Sequence, residues 1–308
     1  PFWLSTLLYA NSTYLKTIQG CNFVLVELYR TLNSINYIPG IPMAESKIVK
    51  ACLILIGNEL LSGRTQDKNL AFIAKGLNEE GIQLGAAYVI PDIPDIIIDL
   101  INKTRAEFDY VFTTGGIGPT HDDITSECVA AAFGVGMFQD AETAALMKAR
   151  VEERGEKMNG ARLRMATFPE GAELLKNQIS IAPGYKIQNV FVMAGVPRIM
   201  QTMFQEAKKY LNGGDKVLSR GMAMDLGEGT IAESLSALQQ KYPDIDIGSY
   251  PQMRQDKGFT VSLVLRGRNA ERLNLAHAET MQVMRNLGGN PIEEDPETSQ
   301  ASAEPEGK

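Results

Sequence analysis

The segment Gly115-Gly116-Ile117-Gly118-Pro119-Thr120-His121-Asp122-Asp123 carries the residue types that phosphate chemistry needs. Glycines just after a strand let the backbone turn tightly and approach a ligand closely. A helix that starts beyond them offers free N–H groups and a partial positive charge to a phosphate. Asp122 and Asp123 have two open readings. They can hold a divalent cation that bridges phosphate oxygens, or they can cap the helix that follows. A glycine-rich turn by itself is weak evidence; acids beside it at a strand exit favour the first reading. Gly57-Asn58-Glu59-Leu60-Leu61-Ser62-Gly63 adds Glu59 and Ser62, with Asp67 and Asn69 just beyond, although the plain reading is an ordinary turn and a capping Asp67. Asp92 and Asp95 flank Pro94. Asp95 suits the first turn of a helix, worth ~0.3–1 kcal/mol, which leaves Asp92 as the better site candidate. His121 has no partner visible in the sequence, and His277 reads as a surface residue on a helix. No Ser/His/Asp or Cys/His arrangement is present to support a nucleophile.

These groups need elements to position them. Residues 48–56 are an apolar run with Ile and Val, the pattern of a buried strand. Leu70, Ile73, Ala74 and Leu77 follow at helical spacing, and Gly81 stops that helix. Residues 82–90 make a second strand. Pro94-Asp95 opens a helix with the stripe Ile97, Leu100, Ile101 and Thr104. Residues 110–114 make a third strand that runs into Gly115, with a helix over 125–133. Alternating strands and helices predict an α/β fold with a mostly parallel sheet covered on both faces. Ligands in such sheets bind beyond the carboxyl ends of the strands. Residues 57–63, 91–95 and 115–125 therefore share one rim. Further on come a helix over 141–154, a turn at 168–171, short strands through 190–193, and a helix from Pro197 to about Leu211. Gly213-Gly214-Asp215 reads as a linker. Residues 216–291 read strand, helix, strand, strand, helix, a small split α+β unit.

Composition removes several classes. A net charge of -7 argues against a nucleic-acid footprint, which needs a basic face. No run reaches the ~18 apolar residues of a membrane span. Cys21, Cys52 and Cys128 are scattered, without zinc spacing, and read as free thiols of a reducing compartment; we expect a cytoplasmic protein. Residues 1–42 carry few charges and precede Met43, so we expect them to be a non-native or leader extension ahead of a domain over 43–213. Residues 292–308, rich in Glu, Pro, Ser and Ala, are expected to form a disordered acidic tail.

The glycine loop, the 57–63 segment, Asp67-Lys68-Asn69, Ala182-Pro183-Gly184 and Ala194-Gly195-Val196-Pro197 together resemble the MoaB/Mog superfamily. That superfamily includes the molybdopterin adenylyltransferases. The closer resemblance is to the amino-terminal half of CinA, competence/damage-inducible protein A. It spans about residues 48–200, and residues 216–291 are similar to the small KH-like module that follows in those proteins. Residue by residue, it implies that Asp123 and Asp92 are the catalytic acids, and that Gly115, Gly116, Gly118 and Thr120 face phosphate and pterin. Asn58 departs from the family pattern, which has Asp there; one carboxylate is lost, which puts metal binding in doubt. Ala194 replaces the usual Pro. The deamidase domain of longer CinA proteins is not matched, so that activity is not implied.

The resemblance implies a metal-dependent hydrolase, a nucleotide pyrophosphatase acting on ADP-ribose or FAD-like substrates. Asp122 and Asp123 would be the metal ligands for Mg, Mn or Co, and Glu59, Ser62 and Asn69 would join the glycine loop in substrate binding. Two alternatives are a molybdopterin adenylyltransferase and a pterin- or nucleotide-binding module without turnover, with molybdopterin as a possible ligand. The expected partners are a small-molecule nucleotide or pterin and further copies of the chain, as a dimer or trimer, with neither nucleic acid nor membrane. Leu226-Gly227-Glu228-Gly229-Thr230 supplies no GxxG clamp for RNA.

Overall fold

In the computed structural model, residues 47–251 and 261–296 are described. The expected extension over 1–42 lies outside them. The first strand, β1 (Val49–Ile56), is buried at every position except Lys50. Continuous burial is what a parallel strand covered on both faces requires. Side chains alternate between faces, and the helices divide accordingly. Ala51, Leu53 and Leu55 pack with Ile73 and Leu77 of α2 (Asn69–Glu79) and with Met200, Met203 and Phe204 of α7 (Pro197–Ala207). Cys52, Ile54 and Ile56 pack with Ile97 and Ile101 of α3 (Pro94–Glu107) and with Cys128 and Val129 of α4 (Thr125–Phe133). Both cysteines are free and buried, and burial pushes the Cys52 thiol up to about 12 and the Cys128 thiol up to about 11.

The sheet runs β2 (Ile82–Ile90), β1, β3 (Tyr110–Thr114), β8 (Val190–Met193), β7 (Gly184–Ile187), β6 (Glu173–Leu175). The first four strands are mutually parallel, β7 runs antiparallel to β8 and β6 antiparallel to β7, so the sheet is mostly parallel as expected. The carboxylate of Asp67 accepts from the backbone N–H groups of Asn69 and Leu70 at 3.1 and 2.9 Å, which caps α2. Three local expectations change. Residues 58–61, read as a turn, form a short helix, α1 (Asn58–Leu61). Phe168 and Pro169 belong to a strand, β5 (Thr167–Pro169), which pairs with β4 (Met137–Gln139), so the turn begins at Glu170. The helix read to Leu211 ends at Ala207, followed by a 3₁₀ turn over Lys208–Tyr210. Between β4 and β5 lie α5 (Ala141–Glu153) and α6 (Gly160–Arg164).

The second unit comprises β9 (Leu218–Met224), α8 (Glu228–Lys241), β10 (Asp246–Pro251), β11 (Val261–Gly267) and α9 (Ala270–Asn286). A further strand, β12 (Ile292–Glu294), completes an antiparallel sheet ordered β10-β11-β9-β12. This corrects the expectation of a disordered tail from residue 292. Ladder hydrogen bonds need no apolar side chain, and Ser262 adds a hydroxyl bond to Glu294 at 2.5 Å. Residues 297–308 lie outside the described residues. His277 is also corrected: it is buried, with Nε2 3.4 Å from the Gly221 carbonyl oxygen. The linker is pinned, since Gly214 N donates to Gly81 O and Asp215 N to Lys47 O, each at 3.1 Å. Among the described residues, no helix is long and apolar enough to cross a membrane.

Candidate functional site

Parallel pairing puts the carboxyl ends of β2, β1 and β3 side by side: Ile56 pairs with Ile90, and Leu55 with Thr114. The three loops that leave these ends are joined by short-range contacts. Gly57 N donates to Ile90 O at 3.1 Å, and Asn58 N donates to Oδ2 of Asp92 at 2.9 Å. Gly115, at φ +105°, lies so close to β1 that a Cβ there would collide with the carbonyl oxygen of Ile56.

The glycine loop is fixed from both sides. Gly115 N donates to Met193 O at 3.1 Å. Thr125, at the first position of α4, donates its hydroxyl to Gly115 O at 3.0 Å and its N–H to Gly116 O at 2.9 Å. Gly116 sits at φ +68°, and a side chain there would overlap the Thr125 hydroxyl. At Gly118 the need for glycine is different: a Cβ would stand 2.6 Å from Oδ2 of Asp123. The space that this glycine leaves is filled by that carboxylate.

Thr120 gathers the acids. Its N–H and its hydroxyl lie 2.7 and 2.6 Å from Oδ2 of Asp123, and the same hydroxyl lies 2.5 Å from Oδ1 of Asp122. A hydroxyl carries a single proton, so it satisfies one carboxylate at a time. The excess negative charge at the other suits a cation. The Thr120 hydroxyl, then the backbone N–H of Asp122, and more weakly the charge of His121 hold the Asp122 carboxyl below its usual value. His121 is almost fully exposed, with Nδ1 3.9 Å from Oδ1 of Asp122. Among the described residues, no group of three or more His, Cys, Asp or Glu side chains forms a metal cage. Two carboxylates side by side are a donor set of the kind that a hard cation shared with phosphate oxygens takes.

The remaining candidates separate from this cluster. Among the described residues, Asp92 does not join Asp122 and Asp123 in a group of three that could hold a metal; its carboxylate holds the start of α1. The Glu59 side chain folds back over Gly57, and its carbonyl accepts from Thr65 N at 3.1 Å and from the Ser62 hydroxyl at 3.2 Å. Ser62 is thus turned onto its own loop. Asn69 is buried, and its Nδ2 donates to Gly195 O at 2.9 Å, which ties the start of α2 to the turn before α7. Its Oδ1 has no hydrogen-bond partner.

The sequence reading missed Arg164. Its Nη2 donates to Pro119 O at 3.0 Å and to Thr120 O at 2.9 Å. The separation of more than forty residues hid this contact, and an Arg in a basic stretch carries no signal of its own.

Residues 52–213 match the family model described as "Probable molybdopterin binding domain". The chain belongs to the molybdopterin-binding domain family. Residues 216–287 match a second model, the FAD synthase middle domain. A protein of Archaeoglobus fulgidus is 32% identical over 224 residues, covering 73% of this chain and 93% of its own length. A CinA-like protein of Chloroherpeton thalassium is 31% identical over 254 residues, covering 77% of this chain but 59% of its own length. The chain therefore spans under two thirds of that longer relative. The crystal structure of CinA from Thermoplasma acidophilum, titled as a protein of unknown function, is 31% identical with a TM-score of 0.49, covering 53% of this chain and 98% of its own. The molybdopterin-binding domain thus contains the whole rim described above, from Gly57 to Arg164.

Proposed function

We propose that this chain hydrolyses nucleotide pyrophosphates of the ADP-ribose or FAD type with a divalent cation, Mg, Mn or Co. The reading rests on one observation: the carboxylates of Asp122 and Asp123 meet at the Thr120 hydroxyl, on the loop that enters α4. The match of residues 216–287 to an FAD synthase domain supports a nucleotide as substrate.

In this reading Gly115, Gly116 and Gly118 let the backbone approach one phosphate, and the first turn of α4 lends its partial positive charge, the Thr125 N–H being already taken by Gly116 O. Asp123, with Asp122 or Asp92, would hold the cation. Bound there, the cation would supply charge neutralisation for the phosphate oxygens. Thr120 holds the two acids in place. Water adds to one phosphorus, the P–O–P bond breaks, the bridging oxygen leaves on the other phosphate, and the two protons of the water pass to the phosphate products or to solvent. No covalent enzyme intermediate is required. The small α+β unit, which we read as KH-like, lacks a GxxG clamp and serves as a structural or oligomer contact.

One observation favours a second reading, a binding module without turnover. Asn58 brings no carboxylate, and Asp92 is engaged with the backbone N–H of Asn58. The deciding experiment incubates the full chain with ADP-ribose, FAD, NAD and ATP, each with Mg²⁺, Mn²⁺ or Co²⁺, and follows AMP release beside Asp123→Ala. AMP from the wild type and none from the variant is the expected result. Bound pterin or nucleotide without AMP would point to the carrier. Adenylyl transfer that needs both ATP and molybdopterin would point to the adenylyltransferase.

A further inference from the structure

Arg164 ends α6 and is exposed. The two bonds from Nη2 to Pro119 O and Thr120 O pin its guanidinium to the loop that carries the acids. Its remaining N–H groups, on Nη1 and Nε, have no protein partner among the described residues. Arg162, two positions earlier, is in a different situation. Its Nη2 pairs with Glu156 and its Nη1 donates to Lys157 O at 3.0 Å. Among the described residues, no carboxylate pairs with Arg164. Yet the residue whose carbonyl it holds, Thr120, also holds Asp122 and Asp123.

The charge balance gives this arrangement a use. Asp122, Asp123 and a divalent cation cancel. A pyrophosphate diester that arrives there meets no net positive charge unless a neighbouring side chain supplies it. A guanidinium is permanently charged, weakly hydrated and shaped to donate several hydrogen bonds to phosphate oxygens. We propose that Arg164 is a phosphate-binding residue of this site, which takes oxygens of the pyrophosphate group beside the cation on Asp122 and Asp123. This rests on the pyrophosphatase reading.

The test compares Arg164→Gln and Arg164→Lys with the wild type. Glutamine removes the charge and, being two atoms shorter, also the exposed bonds to the loop carbonyls, a surface change that costs little stability; lysine keeps the charge. Binding of inorganic pyrophosphate with Mg²⁺ is measured by calorimetry at low and high salt, with the thermal midpoint and the KM and kcat of AMP release beside it. We expect Arg164→Gln to keep its midpoint, to bind pyrophosphate roughly tenfold more weakly at low salt, and to lose much of the salt dependence. Its KM rises by a similar factor, and Arg164→Lys recovers part of the loss. Wild-type affinity and salt response in Arg164→Gln would overturn the assignment. So would a weakening that tracks a fallen midpoint equally in both variants, since that marks a loop brace and no more. AMP release by a wild type that binds no pyrophosphate refutes Arg164 and leaves the pyrophosphatase standing. Neither binding nor AMP release refutes both.

Discussion

The carboxylate of Asp92 accepts a hydrogen bond from the backbone N–H of Asn58 at 2.9 Å, so the exit of β2 clamps the exit of β1. A clamp and a cation ligand place different demands on this side chain. Asp92→Asn keeps an acceptor for the N–H and removes the charge, whereas Asp92→Ala removes both. We expect Asp92→Ala to lose about 1.5–3 kcal/mol of stability in chemical denaturation, the range for a bond to a charged group. Asp92→Asn should lose much less. If Asp92 also serves the cation, the Asn variant releases AMP about tenfold more slowly despite its stability. Equal activity in Asp92→Asn and the wild type would leave the clamp as its whole role.

Asn58 begins α1 beside this clamp. Asn58→Asp restores the carboxylate of the family pattern. Its expected effect is a fall of about tenfold in the Mn²⁺ concentration that half-saturates AMP release, because cation affinity rises with ligand charge. An unchanged metal titration would show that the position does not reach the cation.

Gly116 and Gly118 fail differently when a methyl group is added. Gly116→Ala puts a Cβ on the Thr125 hydroxyl at φ +68°, a backbone conflict worth about 1–3 kcal/mol. Its thermal midpoint should fall. Gly118→Ala meets the Asp123 carboxylate, at 2.6 Å, and a side chain can move aside. There the midpoint should hold within a few degrees while AMP release falls by about two orders of magnitude. Loss of stability in both, or in neither, would contradict this division.

The Thr120 hydroxyl is the largest influence that holds the Asp122 carboxyl low. A depressed carboxyl favours the folded protein above its unfolded-state value, and that contribution is lost as pH falls through the folded value. In Thr120→Val, which has no hydroxyl, the Asp122 carboxyl should titrate nearer its usual value in a carbon-detected NMR titration. The acid limb of the pH–rate profile should move up with it. A carboxyl that titrates as in the wild type would remove Thr120 as the cause.

β12 offers a separate test of the second unit. Ser262 donates to Glu294 from β11, two strands away, at 2.5 Å. Ser262→Ala and Glu294→Ala should each cost about 1 kcal/mol in denaturant unfolding. Together they should cost less than the sum, since each removes the same bond. Full additivity would show that the two side chains act independently.

The strands and helices of the first domain were legible because their signal is periodic. Continuous apolar residues over β1 and helical stripes such as Ile73 and Leu77, or Ile97 and Ile101, state local structure and burial together. The glycine loop was legible for a related reason: φ above zero at Gly115 and Gly116 restricts residue type, so the sequence shows the backbone's demand. Groups that depend on distant partners left no such trace. Asp92 reads as a free acid until the Asn58 N–H is placed beside it, and Arg164 reads as one more basic surface residue until α6 returns to Pro119 and Thr120. The acidic segment at Ile292 reads as unstructured because composition records side chains, while a strand edge is satisfied by backbone hydrogen bonds that any sequence can make. Composition and spacing by themselves determined the parallel core and the place of the glycine loop. Tertiary structure decided that the Arg164 guanidinium reaches the Thr120 loop and that Asp92 holds Asn58, because those contacts join segments far apart in the chain and leave no period to read.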